Sequence, residues 1–316
     1  MTGLRSGAAM LLALTACCVL GPLLMPVQPE ADPVHAALLG PGARATALEL
    51  AEGRWIVAPA DSVTFSGGTW LVSDGRTRGM TLDAGDVVCV RSLRFLLGTD
   101  RFGRDVLVLM LTGGRLSLLI AGLSVIVALI VGGGVGLLAA TCGQVVDALL
   151  MRTVDGLLAF PVLFLMILVA ALCRPGPGML VVVLGLTSWM GLARVVRGQV
   201  LSLRSRGFVL AARACGSPWY AIWRRHYLPH IVGPVAQDTA LRMGDLIIAE
   251  ATLSYLGLGV PPNNPTWGSM IAEGHLVMLD AWWLATLPGV AIALAVIALA
   301  LIGDGIQSRV AIGEHA

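Results

Sequence analysis

Asp238, Arg242, Asp245 and Glu250 stand within Gly233 to Val260, a stretch that is otherwise apolar. Ionisable side chains in such surroundings are costly and mark a pairing or a task. Asp238 and Arg242 are four residues apart and Arg242 and Asp245 three apart, so on a helix these three share a face and can neutralise one another. Glu250 falls on a different face with no cation near it in sequence, and lining of a solute pathway stays open for it. Metal and nucleophile chemistry is poorly served. His226 and His230 are four apart but lack the Glu of an H-E-x-x-H zinc motif, and His275 joins no carboxylate or Cys. The six Cys form no C-x-x-C pair, and nothing reads G-x-x-x-x-G-K-[ST], so the chain has no phosphate loop with which to split ATP unaided.

The elements that hold these residues are set by composition. The 316 residues are 57% apolar and 13% charged, against about 45–50% and about 25% in soluble domains. That excludes disorder and argues against a soluble enzyme. The formal charge is +2 and every basic residue is Arg, too small an excess to suggest nucleic-acid binding. A hydrocarbon core about 30 Å thick needs roughly 20 apolar residues of helix. Ala8 to Val27, Leu116 to Ala140, Gly156 to Cys173, Gly178 to Ala193 and Ala281 to Gly303 are uncharged, and Gly233 to Val260 carries the four charges above. Six spans are expected. Pro161 is placed to bend the third, and Gly132, Gly133, Gly134 and Gly136 to let the second approach a neighbour closely.

Seven Arg lie between Arg194 and Arg225, with no acidic residue between Asp155 and Asp238, while Pro261 to Asp280 has no Arg. Basic short loops stay in the cytoplasm, so the Arg-rich loop is expected there, and six spans then put both termini on that side. The first span has a second reading, since Leu14-Thr15-Ala16-Cys17 has the form of a lipoprotein signal, although the apolar run continues to Val27. Residues 28–97 differ from the rest. Thr46 to Leu50, Arg54 to Ala58, Ser62 to Phe65, Thr69 to Val72 and Asp86 to Val90 read as strands broken at Glu52-Gly53, Gly67-Gly68, Asp74-Gly75 and Ala84-Gly85. This β-rich insert is a spacer or a docking surface for an extracytoplasmic partner.

The loop from Arg206 to Pro229 suggests two short helices. Gly216 suits the left-handed position after the first, Ser217 an N-cap, Pro218 the start of the second and Pro229 its end, with Arg224 and Arg225 in its last turn. Ala211, Ala212 and Ala214 keep the first helix slim enough to pack closely on another protein. A DNA-reading helix pair is set aside because spans tether both ends.

Ala211-Ala212, Gly216 and Leu228-Pro229 resemble the EAA loop of ABC importer permeases, with Leu210 where that family usually has Glu. Gly98-Thr-Asp-Arg-Phe-Gly-Arg-Asp105 and the stretches Glu250 to Pro262 and Pro265 to Gly274 are similar to signatures of C-type permeases of dipeptide, oligopeptide and nickel importers. The resemblance covers Gly98 to about Gln307. It implies an all-α integral membrane protein with six transmembrane helices of the type I ABC importer permease kind, carrying a small β-rich extracytoplasmic insert. The implied division is residues 1–27 (N-terminus and first helix), 28–97 (insert), 98–307 (permease core, coupling loop 197–232) and 308–316 (cytoplasmic tail). Leu210, Ala211, Ala212, Gly216, Ser217, Pro218, Leu228 and Pro229 would couple the chain to ATPases. Gly98, Thr99, Asp100, Gly103, Arg104 and Asp105 form the entry signature. The resemblance further implies no enzyme and no cofactor bound by this chain, ATP and Mg being used by partner subunits. The implied partners are a second permease subunit in a heterodimer, two ABC ATPase subunits, an extracytoplasmic solute-binding protein and membrane lipid, in the inner membrane. Peptides or nickel complexes both stay open as solutes. The rival class is a membrane receptor or scaffold without transport.

Overall fold

The computed structural model describes residues 2–24, 36–52, 55–73, 80–261 and 263–313. Val27, Gln28, Gly53, Arg54, Asp74, Gly75, Pro262 and residues 314–316, which enter the expectations above, lie outside the described residues. In chain order the elements are α1 (Thr2–Leu24), β1 (Ala43–Leu50), β2 (Trp55–Pro59), β3 (Val63–Ser66), β4 (Thr69–Val72), β5 (Met80–Asp83) and β6 (Val87–Phe95). Helices then follow: α2 (Val106–Thr141), α3 (Gln144–Leu158), α4 (Val162–Leu172), α5 (Pro177–Arg204), α6 (Gly207–Ala214), α7 (Trp219–Ile222), α8 (Leu228–Tyr255), α9 (Trp267–His275) and α10 (Trp283–Gly313).

Four helices are long and apolar enough to cross a bilayer: α1 over Gly3–Leu23, α2, α5, and α10 over Trp283–Arg309. The expected third span from Gly156 to Cys173 is broken at the proline expected to bend it. α3 ends at Leu158, α4 starts at Val162, and the two bend by 83°, passing as one broken span at most. The cause is Pro161, which has no N–H to give a helix and restricts Phe160 before it, and which stands as the N-cap of α4. α4 alone, eleven residues long, reaches about 16 Å, half of a hydrocarbon core. The expected fifth span lies in α8, whose Asp238, Arg242, Asp245 and Glu250 keep it outside the count. By length and apolarity alone the described residues hold four candidate spans, or five if the bent pair is one span. The helix expected to end at Ala193 runs on to Arg204, so Arg194 and Arg197 are helical, not in a loop. Both are claimed by α3: Arg197 grips both oxygens of Asp147, Nη2 donating to Oδ2 at 2.7 Å, and Arg194 pairs with Asp155.

Two compact bodies interleave along the chain. The first comprises residues 1–15, 116–264 and 291–316. Here α2 and α5 cross closely at two of the expected glycines. A Cβ on Gly132 would lie 2.6 Å from the Trp189 carbonyl oxygen and one on Gly136 2.5 Å from that of Ala193, while Gly133 and Gly134 face open space. Four-residue spacing on both helices makes this a backbone-to-backbone contact. Gly136→Leu is expected to force the helices apart, costing about 1–3 kcal/mol. A fall in the thermal midpoint of the purified chain, absent in Gly133→Leu, checks this.

The second body comprises residues 16–115 and 265–290. Its strands form two antiparallel three-stranded sheets, β2-β1-β6 and β3-β4-β5. Alternation along β1 splits its side chains between two cores: Leu48 and Leu50 join Ile56, Ala58, Val72 and Leu82, and Ala45 and Ala47 join Val57, Phe95 and Ala36. Strand β5 was not expected from sequence, and β6 runs to Phe95, five residues past its expected end. Its outer positions carry Arg91, Ser92 and Arg94, which hide the alternation.

Candidate functional site

The Arg206 to Pro229 loop closes α6 as a Schellman turn. Gly216 has φ +75°, its N–H donates to the Arg213 carbonyl at 2.9 Å, and the Ser217 N–H reaches back to that of Ala212 at 3.0 Å. Ser217 does not cap the next helix. Pro218 occupies the N-cap, its carbonyl accepting from the Ala221 N–H at 2.9 Å. Nor does Pro229 end that helix. Trp223 to Tyr227 widen into a π-turn, in which the Leu228 N–H donates to the Trp223 carbonyl, and α8 continues with Pro229 in its first turn. A proline ring clashes with the carbonyl four residues before it, and the wider turn relieves that clash. Arg224 and Arg225 are thus inside a continuous helix.

The loop has two faces. Val209, Ile222, Tyr227 and Ile231 are buried with Leu192, Val196 and Val200 of α5, and Ala212 and Trp223 pack against them. Leu210 is 52% exposed, Ala211, Ala214, Gly216 and Pro218 are exposed, and Trp219 is 74% exposed. Ala212 therefore serves the chain's own core, unlike Ala211 beside it. Arg213 Nη2 donates to the Tyr227 hydroxyl at 3.0 Å, fixing α6 to the π-turn. His226 and His230 are committed locally: the His230 ring stacks on Phe208 at 5.0 Å, and its Nδ1 lies 2.7 Å from the His226 carbonyl. Among the described residues no cluster of three metal-ligating side chains occurs.

The entry signature is a turn organised around Asp100, which is 3% exposed. Oδ1 accepts from the N–H groups of Phe102 and Arg104, each at 2.8 Å, and Oδ2 from Arg104 Nε at 2.6 Å. Gly103 and Gly98 both take positive φ, and a Cβ on Gly98 would meet the Leu39 carbonyl oxygen at 2.4 Å. Buried Thr99 donates to the Ala36 carbonyl and accepts from the Leu39 N–H. Asp105 accepts from the Leu107 N–H at 2.7 Å, capping α2. Arg104 also reaches Glu273 of α9 at 3.3 Å. Burial pushes the Glu273 carboxyl above the usual range, against the pull of the Arg104 and Arg101 guanidinium groups. Glu273 lies in the Pro265 to Gly274 stretch, but nothing in sequence tied it to Arg104. The signature thus builds the entrance to α2.

Glu250 sits inside the helix packing of its own chain. It is fully buried, and its oxygens accept from Ser117 of α2 at 3.0 Å and Ser254 at 2.7 Å. Ser117, distant in sequence, and Ser254, one turn on, supply these hydrogen bonds. The expected trio resolves into one pair: Arg242 grips Asp238 and donates to the Ser188 carbonyl, while Asp245 is exposed.

Residues 132–311, more than half of the chain, match the family described as the binding-protein-dependent transport system inner membrane component. The chain belongs to that family. This inner membrane transport component is 38% identical to the di/tripeptide transport system permease protein of Pseudomonas aeruginosa, over 68% of this chain and 71% of that protein. It is 36% identical to the oligopeptide transport system permease protein of Haemophilus influenzae, over 66% of this chain and 68% of that protein. Two crystal forms of the MetNI methionine ABC transporter in inward-facing conformations share its fold. Their TM-scores are 0.52 and 0.55, at 19% and 20% identity, over 64% of this chain and 96% of theirs.

Proposed function

We propose that this chain is a permease subunit of an ATP-driven peptide importer, forming half of the translocation pathway in a heterodimer with a second permease. The observation that carries this reading is the similarity to two peptide permeases across two thirds of the chain. The loop supports it: Leu210, Ala211, Ala214 and Trp219 present an outward face on a scaffold tied down by Val209, Arg213 and Tyr227. In this reading that face docks on two ATPase subunits, which use ATP and Mg while this chain catalyses nothing. α8 counts as a span, because its 28 residues reach about 42 Å and its charges are turned inward or paired, Asp245 excepted. A solute-binding protein delivers the peptide outside, where the β-rich insert helps to seat it. Movement of the loop re-packs the spans so that the pathway opens to one side and then the other.

The decisive experiment reconstitutes the chain with its second permease, both ATPases and the binding protein in proteoliposomes. ATP-dependent uptake of labelled peptide is expected. A complex that assembles but moves no peptide, or moves only nickel complexes, would replace the reading with a scaffold or a different importer. Topology is checked separately in a chain without native cysteines. Ser205→Cys is expected to react with impermeant thiol reagent only from the cytoplasmic side and Asn264→Cys only from outside, as the Arg asymmetry demands.

A further inference from the structure

α8 turns several sides toward its own chain. Glu250 meets Ser117 of α2, Arg242 donates to the Ser188 carbonyl of α5 at 3.3 Å, and a Cβ on Gly244 would lie 3.6 Å from Val296 of α10. Val296 is central in the span Trp283–Arg309 and Ser188 near the centre of α5, so these contacts hold this part of α8 at mid-depth among the membrane-crossing helices. The remaining side is less covered, with Leu241 on it packing against Gly303 of α10. Leu241, Asp245 and Ile248, spaced four and three apart, are all exposed. The Asp245 side chain forms no ion pair among the described residues, because Arg242, its nearest cation in sequence, is committed to Asp238 and Ser188.

A carboxylate at that depth is too costly to face hydrocarbon, so the side of α8 that carries it meets water, a ligand or a neighbouring subunit. We infer that Asp245 lines the aqueous pathway and binds the terminal ammonium of the peptide in transit. This rests on the peptide-importer reading and names the group it would recognise. Peptides of every sequence share one cation, the α-ammonium. A single carboxylate set between Leu241 and Ile248 forms a charge-assisted hydrogen bond to that group without selecting among side chains.

The test uses the complete reconstituted complex. In a chain without native cysteines, Asp245→Cys is expected to react with an impermeant thiol reagent and to be protected by a tripeptide. Equilibrium binding of that tripeptide to the complex without binding protein is expected to weaken about tenfold in Asp245→Asn and to recover in part in Asp245→Glu. Binding of the N-acetylated tripeptide is expected to be unchanged. An unreactive Asp245→Cys would overturn the inference, as would equal effects of Asp245→Asn on free and acetylated peptide. Loss of the second permease subunit from the Asp245→Asn complex would also overturn it, making Asp245 an inter-subunit pairing residue. Failure of the wild-type complex to take up any peptide would overturn the peptide-importer reading itself. Wild-type uptake with an insensitive Asp245→Asn sinks this inference alone.

Discussion

Asp100→Ala is expected to loosen the turn that starts α2, lowering stability by about 2–4 kcal/mol, the scale of losing several hydrogen bonds to a buried charged acceptor. The variant removes three hydrogen bonds at once, two from backbone N–H groups and one from the Arg104 guanidinium. Arg104 then keeps the longer contact to Glu273 and its place over the Phe102 ring. Asp100→Asn keeps an acceptor for the backbone donors and should lose roughly half as much, because a hydrogen bond to a charged acceptor is worth about twice a neutral one. The purified chain in detergent provides the measurement, as a thermal midpoint ranked wild type, Asn, Ala. Midpoints of Ala and wild type within about 2 °C would show that the turn does not depend on this carboxylate.

Ala211→Arg and Ala212→Arg, adjacent and chemically alike, are expected to fail in different ways. Ala211 is exposed, so its variant folds normally, but a guanidinium there holds off any partner that approaches α6 closely. Peptide-stimulated ATPase activity of the assembled complex should fall at least about thirtyfold, the consequence of losing about 2 kcal/mol at an interface centre. Ala212 packs against the cluster of Val209, Tyr227 and Ile231. Its variant drives a charge into that cluster and should lower the yield of folded chain before any question of coupling arises. Equal behaviour of the two variants would show that α6 lacks the two-faced character seen here.

Local rules made much of this chain legible and long-range contacts hid the rest. The four unbroken apolar runs announced their helices, and the Gly-containing turns announced strands β1 to β4, because each signal resides in consecutive residues. Gly216 was readable for the same reason, since a positive φ after a short helix is a local demand. What escaped were the partners. Nothing near Glu250 in sequence foretold Ser117, 133 residues away. Nothing near Arg104 foretold Glu273. The end assigned to the second loop helix failed differently. Pro229 predicts a stop, and the backbone keeps the helix by widening one turn. At Pro161 the bend expected in the third span is a true break between two helices. The two prolines differ in the turn before them, which can swell at Trp223 to Tyr227 and is interrupted after Leu158.

That swollen turn makes one rod of what would otherwise be a helix, a joint and a second helix. From Trp219 to Tyr255 the backbone is helical without interruption, a length of about 55 Å. Such a rod transmits a push as a tilt. A swing of about 10° carries the Tyr255 end through roughly 10 Å if the rod pivots at Trp219, and each end through half that if it pivots midway. Along it Arg242 donates to α5 and Glu250 accepts from α2, so a tilt of this helix would act on both of those anchorages.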